Sequence, residues 1–282
     1  MEFYSPLRYP GGKGKISNFI KLIFEKNLLV DGYYVEPYAG GASVALSLLF
    51  DEYASNIIIN DIDRSVFAFW YSVLNNTEEF CDLILKTNIT TKVWKRQKEI
   101  QKQKDSTNLL ELGFSTFFLN RTNRSGIIKA GVIGGNAQDG NYKIDARFNK
   151  EELIRRIRRI AAYKERIELF NLDAIELITT ISNYLPEKTL IYFDPPYYVK
   201  GKDLYVNHYK HEDHVLVSEM VNGITEHKWI VSYDNAPEIN KIYKRNKKFE
   251  YTLNYSAVNA TSGTEVMVHH NDLYIPSFNP IF

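Results

Sequence analysis

A short apolar run, Thr189 to Phe193, ends in Asp194 and is followed at once by Pro195, Pro196, Tyr197 and Tyr198. Each proline holds its own φ near about −65° and carries no N–H, and Pro196 drives Pro195 away from the helical region. The chain therefore leaves the strand stiff and extended. What it offers there is chiefly acceptors, the Asp194 carboxylate and the Pro195 carbonyl, beside the flat ring of Tyr197. A planar group that donates two N–H bonds and stacks fits this set, as the exocyclic amine of a nucleobase does. A rigid turn with a helix-capping Asp is the plainer alternative, and it does not need the combination.

Four other places carry residues of the same kind. "YVEPYAGGASVAL" reads as a buried strand, a small-residue turn at Gly40-Gly41 and a helix. In such a turn backbone N–H groups can approach a ligand closely. It lacks the G-x-G-x-x-G spacing of a dinucleotide fold, which argues against NAD, and tight strand–helix packing explains the glycines equally well. Asp61 ends a second strand, "NIIIN", about 20 residues after the turn, where an acid can accept from two ribose hydroxyls or cap the helix that follows. Asp173 repeats the strand-then-acid pattern in "FNLDAIELI" and reads first as a helix cap, with an adenine amino group as its second possible partner. In "LRYPGGKGK", Lys13 is a point charge suited to one carboxylate or phosphate and Tyr9 offers a ring face, although a surface lysine beside a turn reads the same way.

These residues need a sheet to bring them together. Short β-branched or aromatic runs alternate with amphipathic stretches, which predicts an α/β fold with about seven strands. The 282 residues, 44% hydrophobic and 24% charged, are those of an ordinary globular chain. Net charge is only +1, but it is unevenly placed: Lys86 to Arg166 holds 19 Lys and Arg against 8 Asp and Glu. That asymmetry predicts one segment facing a polyanion. Within it, basic helices bracket the glycine-rich "RTNRSGIIKAGVIGGNAQDGNYKIDARF". The single cysteine, Cys81, excludes an intrachain disulfide, and the six histidines show no metal-ligand spacing. No run approaches a membrane span and the N-terminus lacks the apolar core of a signal peptide, so the expected location is the cytoplasm.

"RYPGGK", "VEPYAGGASVAL", "NDID", "FLNRTNRSG" and "DPPYY" occur in this order along essentially the whole chain. Together they resemble the Dam-like (D12 class, alpha group) adenine-specific DNA methyltransferases. The resemblance implies a Rossmann-like class I methyltransferase fold, α/β, whose mixed seven-stranded sheet has helices on both faces. A catalytic domain of residues 1–87 and 166–282 would carry an inserted, mostly helical target-recognition domain, 88–165. S-adenosylmethionine would be the methyl donor, held by Tyr9, Lys13, Glu36, Gly40, Asp61, Leu172, Asp173 and Asp194, with no metal. Asp194, Pro195, Pro196 and Tyr197 would act on a flipped-out adenine in duplex DNA. Acceptors at Asp194 and the Pro195 carbonyl would localise the amine's lone pair, a gain that grows in the transition state. Stacking on Tyr197 would offset part of the cost of flipping.

DNA contacts are expected from Asn120, Arg121, Asn123, Arg124 and Ser125, with phosphate contacts from a minority of two basic clusters. One cluster is Lys92, Lys95, Arg96, Lys98, Lys102 and Lys104. The other is Arg155, Arg156, Arg158 and Arg159, where isoleucines packed inward and arginines simply solvated is a strong alternative. GATC-reading members place an aromatic residue and then Asn where this chain has Arg124-Ser125, a departure that leaves the target sequence open. Cytosine-N4 or RNA methylation, and a catalytically silent DNA-binding regulator, are the rival functions. The expected assembly is a monomer, with a cognate restriction endonuclease acting separately.

Overall fold

The computed structural model describes residues 4–8, 16–199, 209–255 and 261–277. Its strands are β1 (Gly32–Glu36), β2 (Ala54–Asn60), β3 (Ile167–Phe170), β4 (Thr189–Phe193), β5 (Lys228–Asp234), β6 (Lys247–Tyr255) and β7 (Thr261–His269). They form one seven-stranded sheet in the order β3-β2-β1-β4-β5-β7-β6. β1 runs parallel to both β2 and β4, β4 runs parallel to β5, and β7 is antiparallel to β5 and β6. Seven strands is the number that the alternating pattern predicted, and the mixed, Rossmann-like sheet is the one that the family resemblance implied. All five residues of β4 are buried, as a parallel strand covered on both faces requires. The strand order reverses between β1 and β4, and ligands of open α/β sheets settle beyond the carboxyl ends at such a reversal. Glu36 closes β1 and Asp194 follows β4 at that place.

The helices are α1 (Ser17–Lys26), α2 (Ser43–Phe50), α3 (Arg64–Asn75), α4 (Thr77–Lys86), α5 (Thr91–Lys102), α6 (Leu109–Thr122), α7 (Lys150–Ala161), α8 (Ala174–Ile181), α9 (His211–Gly223) and α10 (Pro237–Ile242). The chain divides into two compact units, one of residues 1–10 and 61–171, the other of 11–60 and 172–282. The first unit is wider than the basic insert alone, because α3 and α4 share an aromatic core with α6. Phe69 stacks on Phe117 with centroids 6.0 Å apart, and Phe80 and Phe148 meet the same ring edge-on at 5.6 and 5.4 Å. Gly113 makes the close α3–α6 approach possible: a Cβ there would lie 2.4 Å from the Ala68 carbonyl oxygen and from Ser72 Oγ. Asn108 and Asn149 cap α6 and α7 by accepting from the backbone N–H groups of Glu111 and Glu152.

Phe117 is fully buried among those rings. Phe117→Ala is expected to destabilise the chain by about 3–5 kcal/mol, read as a lowered urea midpoint, since neither α3 nor α6 can close the cavity without breaking the Gly113 contact. No described helix is long and apolar enough to cross a membrane.

Candidate active site

In the second unit, β1 delivers Glu36 into a nearly dry place, 5% exposed. Tyr34, two residues earlier and on the same side of the strand, donates its hydroxyl to Glu36 Oε1 at 2.9 Å. The backbone N–H of Ala45, in the first turn of α2, donates to the same carboxylate. Between them the chain turns through Gly40 and Ala42, both left-handed with φ of +46°. Glycine adopts that conformation readily, whereas at Ala42 it carries strain. Burial raises the Glu36 carboxyl from 4.5 to about 8. The bond from Tyr34 pulls it down, the negative charge of Asp194 pushes it further up, and the Ala45 N–H again lowers it. A buried carboxyl that holds its proton at neutral pH, close to the Asp194 carboxylate, makes a place where a cation would favour ionisation of the pair.

The loop after β4 is held by side chains of neighbouring strands. Ser232 Oγ donates to Asp194 Oδ1 at 2.7 Å and itself accepts from the Tyr192 hydroxyl at 2.9 Å. Asp194 therefore stands as an acceptor at the end of a short chain of hydroxyls. Asp234, the last residue of β5, accepts from the backbone N–H groups of Tyr198 and Val199 at 2.8 and 2.9 Å. Pro195 is buried and Pro196 half-buried. Tyr197 was expected to offer an open ring. In this structure it is 3% exposed, and its hydroxyl donates to the buried carboxylate of Glu265. Stacking on a base thus requires what covers the ring to move. Tyr198 is the half-buried ring of the loop, bonded to His211 Nδ1 at 3.1 Å.

Asn60, which the sequence reading passed over, organises the neighbouring strand end. Its Nδ2 donates to the carbonyls of Pro37 and Leu172 at 2.9 and 3.0 Å, and its Oδ1 accepts from the Leu172 N–H at 2.9 Å. One buried amide ties the turn after β1 to the turn before α8, and both backbone polar groups of Leu172 are engaged by it. The polar residue closing the apolar run "III" was the signal for this latch. Asp173 caps α8, accepting from the Ile175 N–H at 2.9 Å. In the first unit, the cap of α3 is Asp63, which accepts from the Ser65 N–H at 3.0 Å. Asp61 Oδ1 instead accepts from the Asp63 N–H at 2.9 Å. Tyr9 and Lys13 lie outside the described residues.

The expected reading loop, also in the first unit, divides by burial. Asn120 pairs with the backbone of Arg8 in both directions, accepting its N–H at 2.7 Å and donating to its carbonyl at 2.8 Å, and also donates to the Gly126 carbonyl. Asn123, fully buried, accepts from Trp94 Nε1 at 2.6 Å and donates to the carbonyls of Ile127 and Ile128. The DNA contacts expected of Asn120 and Asn123 are not what their amides present here, since both are engaged within the protein. Arg121 Nε donates to the Arg147 carbonyl at 2.7 Å. Burial lowers its guanidinium to about 9, helped by the charges of Arg8, Arg156 and Arg147, which still leaves it cationic at neutral pH. Arg124 is exposed and Ser125 half-buried, the latter with φ of +55°. Lys98 of α5 donates to the carbonyls of Ile128 and Lys129 at 3.0 and 3.2 Å, fixing the far side of the loop.

The basic clusters sort in the same way. On α7, Arg155 and Arg156 bond Glu152, Arg158 makes a paired contact with Glu78, and Arg159 lies 4.8 Å over the Tyr4 ring. These arginines all have partners within the first unit, on the more exposed face of α7, as the solvated-face alternative supposes. Lys102 pairs with Glu99 and Lys104 with Asp63, whereas Lys92, Lys95 and Arg96 are exposed along one side of α5. Among the described residues, no three His, Cys, Asp or Glu side chains gather as a metal would require.

Residues 9–258 match the family model described as D12 class N6 adenine-specific DNA methyltransferase. The chain is 23% identical over 210 residues to the Type II methyltransferase M.MjaIII of Methanocaldococcus jannaschii, a match covering 70% of each. Among solved structures, the SAM dependent methyltransferase from Agrobacterium tumefaciens superposes with a TM-score of 0.42 at 8% identity, over 92% of this chain and 62% of that one. The rRNA methyltransferase aviRa from Streptomyces viridochromogenes gives 0.38 at 10% identity, over 93% and 85%.

Proposed function

The chain belongs to the D12 class N6 adenine-specific DNA methyltransferases, and from that premise we propose how its own residues carry the transfer. The observation that bears the most weight is Asp194, held as an acceptor by Ser232 at the end of β4. With the Pro195 carbonyl it would accept both N–H bonds of the adenine amine, drawing the nitrogen toward pyramidal geometry and localising its lone pair. This stabilisation is worth more in the transition state than in the bound substrate. Asp194 need not be a strong base, because the nitrogen becomes acidic only once it is alkylated. The adenine would be flipped from the duplex to reach the loop.

S-adenosylmethionine, the family's donor, supplies an electrophilic methyl on a cationic sulfur. The buried Glu36 beside Asp194 fits a cationic ligand, and the left-handed turn at Gly40 brings backbone close to it. Leu172 and Asp173 would flank the adenine of the donor. Asp61 would hold its ribose, a role read from its position directly after β2, and Tyr9 and Lys13 keep the roles inferred from the sequence.

For the DNA, Arg124 and Ser125 are the proposed readers, with Arg121 beside a phosphate and Asn120 and Asn123 shaping the loop. Residues 88–165 would then be the target-recognition segment. A monomer acting in the cytoplasm on duplex DNA completes the reading. A cognate endonuclease acting separately is supported by the Type II label of the Methanocaldococcus relative.

Single-molecule sequencing of DNA from an expressing host tests the whole reading. N6-methyladenine in one sequence context is the expected result, and unmodified adenine throughout would overturn it. The same assay checks the reader: Arg124→Ala is expected to relax or shift the preferred context, by the roughly 1–3 kcal/mol that a paired arginine–base contact discriminates, with donor affinity unchanged. An identical methylation profile would remove Arg124 from that role.

A further inference from the structure

Asp234, Glu265 and Tyr251 stand in one row across three strands. The β5–β7 register sets Asp234 opposite Glu265, and the β6–β7 register sets Tyr251 opposite the same glutamate. All three are buried, Glu265 and Tyr251 at 1% exposed and Asp234 at 6%. Two carboxylates directly opposite in an antiparallel pair oppose folding, and burying them adds desolvation, so such a row persists only if donors satisfy it.

The donors come mainly from the loop rather than from the sheet. Asp234 takes the backbone N–H groups of Tyr198 and Val199, and Glu265 takes the hydroxyls of Tyr197 and Tyr251. Ser232, two residues before Asp234 and hence on the same face of β5, bonds Asp194. An ordinary core network would tie strand to strand. Among the donors to the carboxylate pair found in the described residues, those of Tyr197, Tyr198 and Val199 lie immediately after the two prolines and only that of Tyr251 comes from the sheet.

We propose that the row Asp234–Glu265–Tyr251 is a seat for the loop 194–199, and that Glu265 is the positioning residue that holds Tyr197 and thereby the acceptor pair at Asp194 and Pro195. The inference rests on the methyl-transfer reading of that loop. Pro195 and Pro196 make the chain between Asp194 and Tyr197 stiff, so fixing Tyr197 at one end and Asp194 at the other fixes the carbonyl between them. Reacting groups misplaced by about 1 Å can lose about a hundredfold in rate, which is the scale on which such a seat acts.

The test is a double-mutant cycle on the full chain, with single-turnover transfer to duplex DNA and calorimetric binding of S-adenosylhomocysteine. Tyr197→Phe and Glu265→Gln are each expected to lower the transfer rate about ten- to a hundredfold, the scale of a lost hydrogen bond to a buried charged group. Cofactor-product binding should stay at the wild-type value, and the double variant should be no slower than the slower single. A merely structural role would lower the unfolding midpoint and leave the rate per folded molecule unchanged, and that result, or fully multiplying effects, overturns the proposal. If Glu265→Gln does not fold, Tyr197→Phe decides by its rate alone. Hydrogen exchange at the Tyr198 and Val199 amides separates this failure from that of the underlying reading. A wild type that methylates no DNA but protects both amides, with faster exchange in Tyr197→Phe, sinks the chemistry and keeps the seat. Equal exchange in wild type and variant sinks the seat.

Discussion

Asp194→Ala is expected to lower methyl transfer by about a thousandfold or more while leaving the chain folded. The reason lies in what the side chain touches. Asp194 is half-buried at a strand end, outside the apolar core, and its removal leaves Ser232 Oγ short of one acceptor while Tyr192 still bonds it. That is a modest loss for the fold, on the order of 1 kcal/mol. For the reaction it is the loss of one of two acceptors on the amine, and the lone pair stays delocalised in the ring. Asp194→Asn keeps a carbonyl acceptor and is expected to retain more activity than the alanine variant. Tritium transfer to duplex DNA under single-turnover conditions reads both. An alanine variant within about tenfold of the wild-type rate would show that positioning alone, not acceptance by Asp194, carries catalysis.

Much of the frame was legible because it is local. An apolar run that stops at an acid, a proline pair and a small-residue turn each fix their own backbone, so β1, β2, β4 and the loops at their ends could be read directly. What was not legible is which way a polar side chain faces. Asn120, in the last turn of α6, and Asn123, just beyond it, sit in a stretch whose composition suits DNA recognition, yet an asparagine amide pairs equally well with backbone, and here Arg8, Gly126, Ile127 and Ile128 take it. The α7 arginines read as either phosphate contacts or a solvated face; Glu152, three and four residues ahead of Arg155 and Arg156 on the same helix, was within reach of spacing, whereas Glu78 becomes visible as the partner of Arg158 only once α4 is packed beside α7. Asp61 and Asp63 are two candidates for one cap, and where α3 begins decides between them. Glu265 was out of reach altogether: its importance comes from lying opposite Asp234 and Tyr251, residues brought to it by strand register.

Glu36→Gln is expected to separate donor binding from stability, moving them in opposite directions as pH rises. Glu36 is buried with its carboxyl raised to about 8, so the folded protein holds this proton more tightly than the unfolded chain does. Between the ordinary value of 4.5 and about 8 the unfolded state has lost the proton while the folded state retains it. Stability supplied by this group is therefore complete below the lower value and declines as pH rises toward the upper one. Glutamine cannot ionise and removes that decline, so the midpoint of thermal unfolding should fall less between pH 5 and 8, roughly the window of the shift, in the variant than in the wild type. A cationic donor, in contrast, favours the ionised carboxylate. Wild-type affinity for S-adenosylmethionine should rise about tenfold per pH unit below the raised value and level off above it, because binding must first expel the proton. In Glu36→Gln that slope should vanish and affinity at pH 8 should fall, since the amide offers no charge to the ligand. Calorimetric titrations across pH, paired with unfolding scans in the same buffers, check both halves. A variant that binds the donor as tightly as wild type at pH 8 would place the cation elsewhere and leave Glu36 only its bonds to Tyr34 and Ala45 at the start of α2.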